Sequence, residues 1–460
     1  MQIRTPIIPT RLELIGINKS EELNKPALCI FAAIGFFLDQ DNFKKSEIAL
    51  SAASITSTDE HNQYLNHKKW FNWHYSPRNI SLSQAVDDFS DLFELIIEEQ
   101  VGNQKVILPL SGGIDSRTQA AALRKLGKKV HSYSYKFQNG YDETFIAKQI
   151  ALSCKFKFDE FVIPKGYLWY KLDDLSNLNK CQTDFTLPRQ MAVNEHFAEL
   201  GEIFSLGHWG DVLFDNMGLS SLSEAEMLVL LKSKLIKRGG LKLAQDLWKT
   251  WSLDGDFEEY LDSRLVELLD QIEIENPNAK LRAFKSLYWA PRWTSANLCI
   301  FQEKRPISLP YFDDRMCEFI CTIPEEYLAD RKIQIEYIKR NAPDLAKITW
   351  QDKRPNNLYD YQEEKPLKKI LYKLQNKSGR VANSIMGKPY IQRNWELQYL
   401  GDDNDKKLKE VLFNTQLDNM VSNSFIENIY QGFKTNPLLY AHSIGMLLVF
   451  AKYNQHHNNE

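Results

Sequence analysis

Cysteine is scarce in this 460-residue chain: six, at positions 29, 154, 181, 299, 317 and 321, with no Cys-x-x-Cys pair. That pattern excludes a disulfide scaffold and a zinc ribbon, and it suits reduced thiols in a cytoplasmic protein. Cys317 and Cys321 fall one helical turn apart, but no histidine stands at metal-ligand spacing beside them. An excess of one charge is also missing. A formal net charge of −3 argues against nucleic acid as an obligate partner, and basic runs such as Lys232–Lys242 read as one solvated helix face. Long apolar runs are absent too. The longest, Ala27–Leu38, falls short of the roughly 20 residues of a membrane span and reads as a buried strand. No early apolar core marks a signal peptide, so neither membrane nor secretion is expected. Hydrophobic content of 43% and charged content of 25% are those of a globular protein of two or three domains.

What the chain does have is concentrated in one stretch. The apolar run Val106–Leu110 empties into Ser111-Gly112-Gly113-Ile114-Asp115-Ser116, and Arg117–Leu126 then reads as a helix stopped by Gly127. Strand, glycine turn and helix N-terminus together make an anion site. The glycines let backbone N–H groups converge on phosphate oxygens, and the helix dipole favours negative charge. Ser111 and Ser116 add hydroxyl donors, and Asp115 is suited to hold a divalent cation that phosphates also ligate. The string Gly-x-x-x-x-Gly-Lys-Ser/Thr is absent. Without its lysine the loop suits a pyrophosphate leaving group better than γ-phosphoryl transfer.

Strands and helices alternate beyond this point: strand Val130–Tyr135, helix Asp142–Cys154 capped by Asp142, then strands Phe158–Ile163 and Glu202–Leu206. Alternation at this spacing predicts an α/β fold, a parallel sheet wrapped by helices with its ligand at the carboxyl edge. From residue 220 the pattern turns helical. Ser223-x-x-Glu226 is a capping box before Met227–Arg238, which Gly239-Gly240 should stop. Helices continue to about residue 300 and again from about 365, and the polar tail after Tyr453 reads as frayed.

Ser-Gly-Gly-x-Asp-Ser resembles the pyrophosphate loop of the N-type ATP pyrophosphatases, which split ATP between the α and β phosphates. Three later segments narrow the resemblance to the asparagine synthases. Phe204–Phe214 keeps Gly207, Asp211 and Phe214 of that family's Ser-Gly-Glu-Gly-x-Asp-Glu-x-Phe segment. Leu309-Pro310-Tyr311-Phe312-Asp313 is similar to Val-Pro-Phe-Leu-Asp. Arg331-Lys332-Ile333 and Trp350-Gln351-Asp352-Lys353 fall at the spacing of its Gly-Lys segment and catalytic lysine. The resemblance implies a doubly wound, HUP-like (adenine nucleotide alpha hydrolase) sheet over residues 86–360. That unit would contain a helical insertion and precede a helical region over 361–460. It implies ATP and Mg²⁺ as cofactors. Ser111, Gly112, Gly113, Asp115 and Ser116 would grip the β,γ-pyrophosphate. Leu110, Tyr135 and Gly207 would line the adenosine, Asp115 and Asp211 would hold the metal, and Lys353 would stabilise charge in the transfer step. The implied reaction is an AMP-forming ligation of a small-molecule carboxylate to ammonia or an amine.

Two departures bear on that reading. Glutamine-dependent asparagine synthases open with a cysteine and a domain of about 200 residues, whereas Met1-Gln2 opens this chain and only about 100 residues precede the loop. Residues 1–85 therefore read as a short β-rich remnant of a glutaminase domain, with ammonia supplied free or by a separate glutaminase. The second departure is His208, at the position of the family's glutamate. Its side chain is either a general base for the attacking amine or a packing residue beside Trp209. A specialised amidation is then as well supported as asparagine synthesis. A nucleotide-binding subunit without turnover and a tRNA-modifying enzyme are the rival readings, the second lacking a basic groove and paired cysteines.

Overall fold

In the computed structural model, the chain reverses direction across a parallel sheet, and that reversal places the site. The structure describes residues 1–61, 63–140, 144–215, 218–219, 221–363, 391–415, 417 and 420–457. Five parallel strands run in the order β10-β9-β6-β7-β8: β6 is Val106–Pro109, β7 Val130–Phe137, β8 Lys157–Ile163, β9 Ile203–Ser205 and β10 Ile307–Ser308. Registers such as Val106↔Val130, His131↔Lys157 and Val106↔Ile203 fix the neighbours. From β6 the chain steps outward through helix α3 (Ile114–Lys125) to β7 and through helix α4 (Thr144–Cys154) to β8. It then returns past helix α5 (Leu168–Asn179) to β9, on the opposite flank of β6. With the crossover hand fixed, the outward helices lie on one face of the sheet and the return connection on the other. The crevice between the carboxyl ends of β6 and β9 is the switch point where such sheets take their ligands.

The four expected strands are present, with ends within about two residues of their sequence positions, and β10 is a fifth that the sequence reading did not include. The helix after the loop starts at Ile114, earlier than the expected Arg117, so Asp115 and Ser116 sit in its first turn. The expected cap Asp142 lies outside the described residues.

Three expectations fail. Residues Ala27–Leu38 are not a strand: Lys25–Ile34 form helix α1, with the Asn24 side chain accepting from the Ala27 N–H, Pro26 in the first turn and Gly35 left-handed at φ 83°. Every residue from Ala27 to Ile34 is buried, which erases the helical period and leaves only the cap residues as signal. The helix after the Ser223–Glu226 capping box ends at Leu235 rather than Arg238. Gly239 and Gly240 open the next helix, Gly240–Thr250. A Cβ on either would collide with the carbonyls of Leu439 and Ala33, so these glycines serve close backbone approach. The tail after Tyr453 is helical through the described residues: the last helix runs Pro437–His457, and the His456 ring bonds the Ser176 hydroxyl at 3.1 Å, while 458–460 lie outside the described residues.

The N-terminal region is β-rich, as expected. Strands β1 (Gln2–Arg4), β4 (Ser54–Thr58) and β5 (Tyr64–Lys69) form an antiparallel sheet, and β2 (Leu14–Gly16) pairs with β3 (Glu47–Ala49). Phe31, Phe37 and Phe43 pack with Phe450 and Tyr453 of the last helix, so both ends of the chain share one aromatic cluster. The described parts of the C-terminal region are mainly helical, including Asp402–Asn414 and Asn423–Thr435. Among the described residues, no helix is long and apolar enough to cross a membrane.

Candidate functional site

The loop after β6 is held open by its own hydroxyls. Ser111 Oγ and Ser116 Oγ lie 3.0 Å apart, Ser116 Oγ accepts from the Ser111 N–H at 3.1 Å, and Ser111 Oγ accepts from the Gly113 N–H at 3.2 Å. Gly113 caps α3 without a side-chain bond to its first turn, which leaves the helix N-terminus available to an anion. Outside the loop, Arg117 is completely buried and faces no carboxylate. Its guanidinium donates to the carbonyls of Gly112 (3.2 Å), Leu345 (3.2 Å), Ile348 (2.9 Å) and Thr349 (2.7 Å). The Gly112 N–H donates to Gln351 Oε1 at 3.0 Å, and the Gln351 N–H returns to the Gly112 carbonyl at 3.1 Å. A Cβ on Gly112 would fall 2.7 Å from Gln351 Oε1, so only glycine lets the two segments close.

A cavity of about 750 Å³ opens over this loop, a size suited to a nucleotide-scale ligand. Of the sequence-predicted residues, Leu110, Ser111, Gly113, Asp115, Ser116, Tyr135, Gly207, His208 and Asp211 all line it. Gly112 does not, because its peptide faces Gln351. Lys353 does not either. It is exposed on the turn Gln351–Lys353, its Nζ 5.9 Å from the Trp350 ring, while its neighbours Gln351 and Asp352 reach the cavity. Asp211 sits in the first turn of the short helix Gly210–Leu213, whose cap position is Trp209, so it is not a capping aspartate. Gly207 and Gly210 bring this segment onto α3: a Cβ on Gly210 would meet the Asp115 carboxylate.

The residue that sequence reading missed is Arg331. Left-handed at φ 63°, it turns its guanidinium onto Asp115 Oδ1, while Lys332 points away to the Glu326 carbonyl at 2.8 Å. Gln334 Nε2 donates to the same Asp115 oxygen at 3.0 Å and to the Tyr311 hydroxyl at 2.7 Å. The Leu309–Asp313 segment thus supports the site from behind. Its signal was in the sequence, since Arg331 heads a segment at the right spacing, but which of two adjacent cations turns inward depends on backbone conformation.

Burial raises the Asp115 carboxyl to about 6; the Arg331 charge opposes this and the Asp211 charge adds to it. Burial lowers the His208 imidazole to about 4, with Asp211 opposing, so the ring is neutral at physiological pH. A neutral ring has a nitrogen with which to accept a proton, but its basicity is low. Lys285, at the cavity wall, is also lowered by burial against the pull of Asp211.

The donor set fits Mg²⁺. Asp115 and Asp211 present hard carboxylate oxygens to one cavity, their mutual repulsion raises Asp115, and both Arg331 and Gln334 use only the Oδ1 atom. Mg²⁺ usually takes one or two carboxylates and completes its shell with phosphates and water. Among the described residues no group of three or more His, Cys, Asp or Glu forms an all-protein site.

Comparison with known proteins gave a family match and several structural ones. Among solved structures, a predicted subunit of tRNA methyltransferase from Methanocaldococcus jannaschii is 24% identical over 29% of this chain, with a TM-score of 0.18; the match spans 65% of that protein, under two thirds of its length. NMN synthetase from Francisella tularensis is 15% identical over 45% of this chain and 92% of its own, with a TM-score of 0.24. The NH3-dependent NAD synthetase of Campylobacter jejuni is 15% identical over 45% of this chain and 96% of its own, with a TM-score of 0.22. No curated protein sequence matches the chain. Residues 88–188 match the asparagine synthase family model, and they include β6, the loop, α3 and β7. The loop end of the cavity is therefore built by the stretch that matches the asparagine synthase family model, a model of the PP-loop ATP pyrophosphatase type.

Proposed function

We propose that the chain is an ATP-dependent carbon–nitrogen ligase that forms an acyl-adenylate and then an amide. The observation that carries this reading is the uncapped N-terminus of α3, opening at the sheet's switch point into a cavity that two carboxylates share. A substrate carboxylate oxygen attacks the α-phosphorus of ATP, and the bond from that phosphorus to the β-bridging oxygen breaks. Pyrophosphate leaves into the Ser111–Ser116 loop, where the N–H groups of the first turn of α3 meet its growing charge. The amine nitrogen then attacks the acyl carbon, the bond to AMP breaks, and the nitrogen gives up a proton. Neutral His208 is the cavity's acceptor for that proton.

Asp115 and Asp211 would hold Mg²⁺, which would neutralise phosphate charge when bound. Arg331 supplies a fixed positive charge beside them, and Lys353, on the turn that Gln351 ties to Gly112, is placed to follow the loop. The nitrogen is ammonia, free or from a separate glutaminase, or an amine, and the enzyme acts in the cytoplasm without nucleic acid or membrane. Asparagine is one product open to such a site. Exchange of radiolabelled pyrophosphate into ATP, run across a panel of carboxylates, tests the reading. Acid-dependent exchange with AMP as product is expected, and ADP as the sole nucleotide product would overturn it.

A second reading has one observation in its favour. Arg331 already occupies an Asp115 oxygen, as a cation would, and that suits a subunit that binds nucleotide without turning it over. Tight ATP binding with neither exchange nor AMP would select it.

A further inference from the structure

The end of the cavity away from the loop is built differently. Its wall is the ten-residue π-helix Lys285–Thr294, which carries Pro291. Such helices are rare and concentrate at functional sites. The wide i→i+5 turn keeps residues four or five apart on one face, and Lys285, Trp289, Trp293 and Thr294 all line the cavity. A side pouch of about 180 Å³ continues from there, with Tyr135, Arg189, His208, Trp293, Ile300 and Phe301 in its wall. The Arg189 guanidinium lies 5.7 Å from the Tyr135 ring centre, and the His208 ring packs edge-on to Phe301 at 6.1 Å.

Four polar atoms in this wall are buried without a hydrogen-bond partner: Nε1 of Trp289, Nε1 of Trp293, Oγ1 of Thr294 and Nδ1 of His208. Thr294 is only 4% exposed. Each of the four atoms has almost no accessible surface, so they lie behind the lining and not on it. The ligand is constrained instead by charge and shape. Among the described residues lining the pouch there is no carboxylate, so the α-ammonium of an amino acid would enter beside Arg189 without a counter-charge. Flat rings, by contrast, find Trp293, Tyr135 and Phe301 along the wall.

We propose that the acid activated in this cavity is an aromatic carboxylic acid, its ring against Trp293 and Phe301, and not an α-amino acid. This rests on the reading above that ATP occupies the loop end, with Tyr135 standing between the adenosine and the pouch. Trp293 then determines specificity through its ring.

Calorimetry with para-hydroxybenzoate, benzoate and L-aspartate, each added to the whole chain with Mg²⁺ and a non-hydrolysable ATP analogue, tests this. Para-hydroxybenzoate should bind at least about tenfold tighter than aspartate. Trp293→Ala should weaken that acid about tenfold while the ATP analogue keeps its affinity within about twofold. Trp293→Leu, which keeps apolar bulk and removes the ring, should weaken para-hydroxybenzoate and benzoate alike by about fivefold, and it decides the matter should the alanine variant not fold. Tighter binding of aspartate overturns the proposal. So does a Trp293→Ala variant that loses the ATP analogue, which would make the pouch an adenine site. Pyrophosphate exchange on the same proteins separates the two readings: exchange with aspartate alone sinks this inference and spares the ligase, whereas aromatic-acid binding with no exchange does the reverse.

Discussion

The two ends of the cavity are opposites in how their polar atoms are spent. At the loop end Ser111, Ser116 and Gln351 bond backbone N–H groups, Arg117 ties four carbonyls and Arg331 meets Asp115, so the protein braces the loop itself. At the π-helix end two indoles, a hydroxyl and an imidazole nitrogen are buried behind the lining without partners. Preorganised groups meet developing charge at no cost of rearrangement. In the proposed reaction, chemistry would draw on the loop with Asp211 and Arg331, and specificity on the π-helix with Tyr135, Arg189 and His208.

Four substitutions probe that division. Asp115→Asn should lower pyrophosphate exchange about a hundredfold or more, because one charge at the transferring phosphates is lost at about 3 kcal/mol; retention of half the rate would remove Asp115 from the chemistry. Arg117→Met should cost about 3 kcal/mol in urea unfolding, since it strands buried carbonyls that now share one guanidinium. It should also raise the KM for ATP by displacing Gly112, and an unchanged KM would show that the loop stands without the clamp. Lys353→Ala should reduce exchange about tenfold, or 1.4 kcal/mol, with unfolding free energy unchanged within about 0.5 kcal/mol. Full exchange in that variant would confine the active charge to Arg331 and Lys285.

The last effect concerns pH. His208 titrates near 4 in the folded chain and near 6.5 when unfolded, so between those values the unfolded state binds a proton that the native state refuses, and stability falls as pH drops through that window. His208→Asn should therefore lose less stability than the parent between pH 7.5 and pH 5. Asp115, raised to about 6, acts with the opposite sign: its contribution is greatest at low pH and fades as pH rises through its folded value. Urea midpoints at the two pH values separate the residues, and identical losses in parent and variant would place His208 in a wetter setting.

Much of the loop end was legible because its parts are neighbours in sequence. Strand, two glycines, two serines and an aspartate within Val106–Ser116 specify an anion cradle by backbone chemistry alone, and the structure brings all but Gly112 to the cavity. Gly112 turns instead to Gln351, a residue 239 positions away. Asp211 and Gly207 were legible at one remove, through a short segment with its own spacing. Arg331 and the π-helix were not. Whether Arg331 or Lys332 enters a cavity is decided by a left-handed residue, and whether Trp289 and Trp293 fill a core or line a cavity is decided by what packs behind them. Helix α1 failed for a related reason: burial on every side leaves no period to read, and the caps at Asn24 and Gly35 were outweighed by its apolar run.

By itself the sequence determined the parallel strands, the position of the glycine loop and the carboxylates beside it, because strand period, glycine turns and helix starts are short-range properties of the backbone. Only the tertiary structure decided that a guanidinium sits on Asp115, that Lys353 stays at the rim, and that unpartnered indoles form the far wall. Each depends on which distant segments share a surface, and residues separated by hundreds of positions carry no local signal of that meeting.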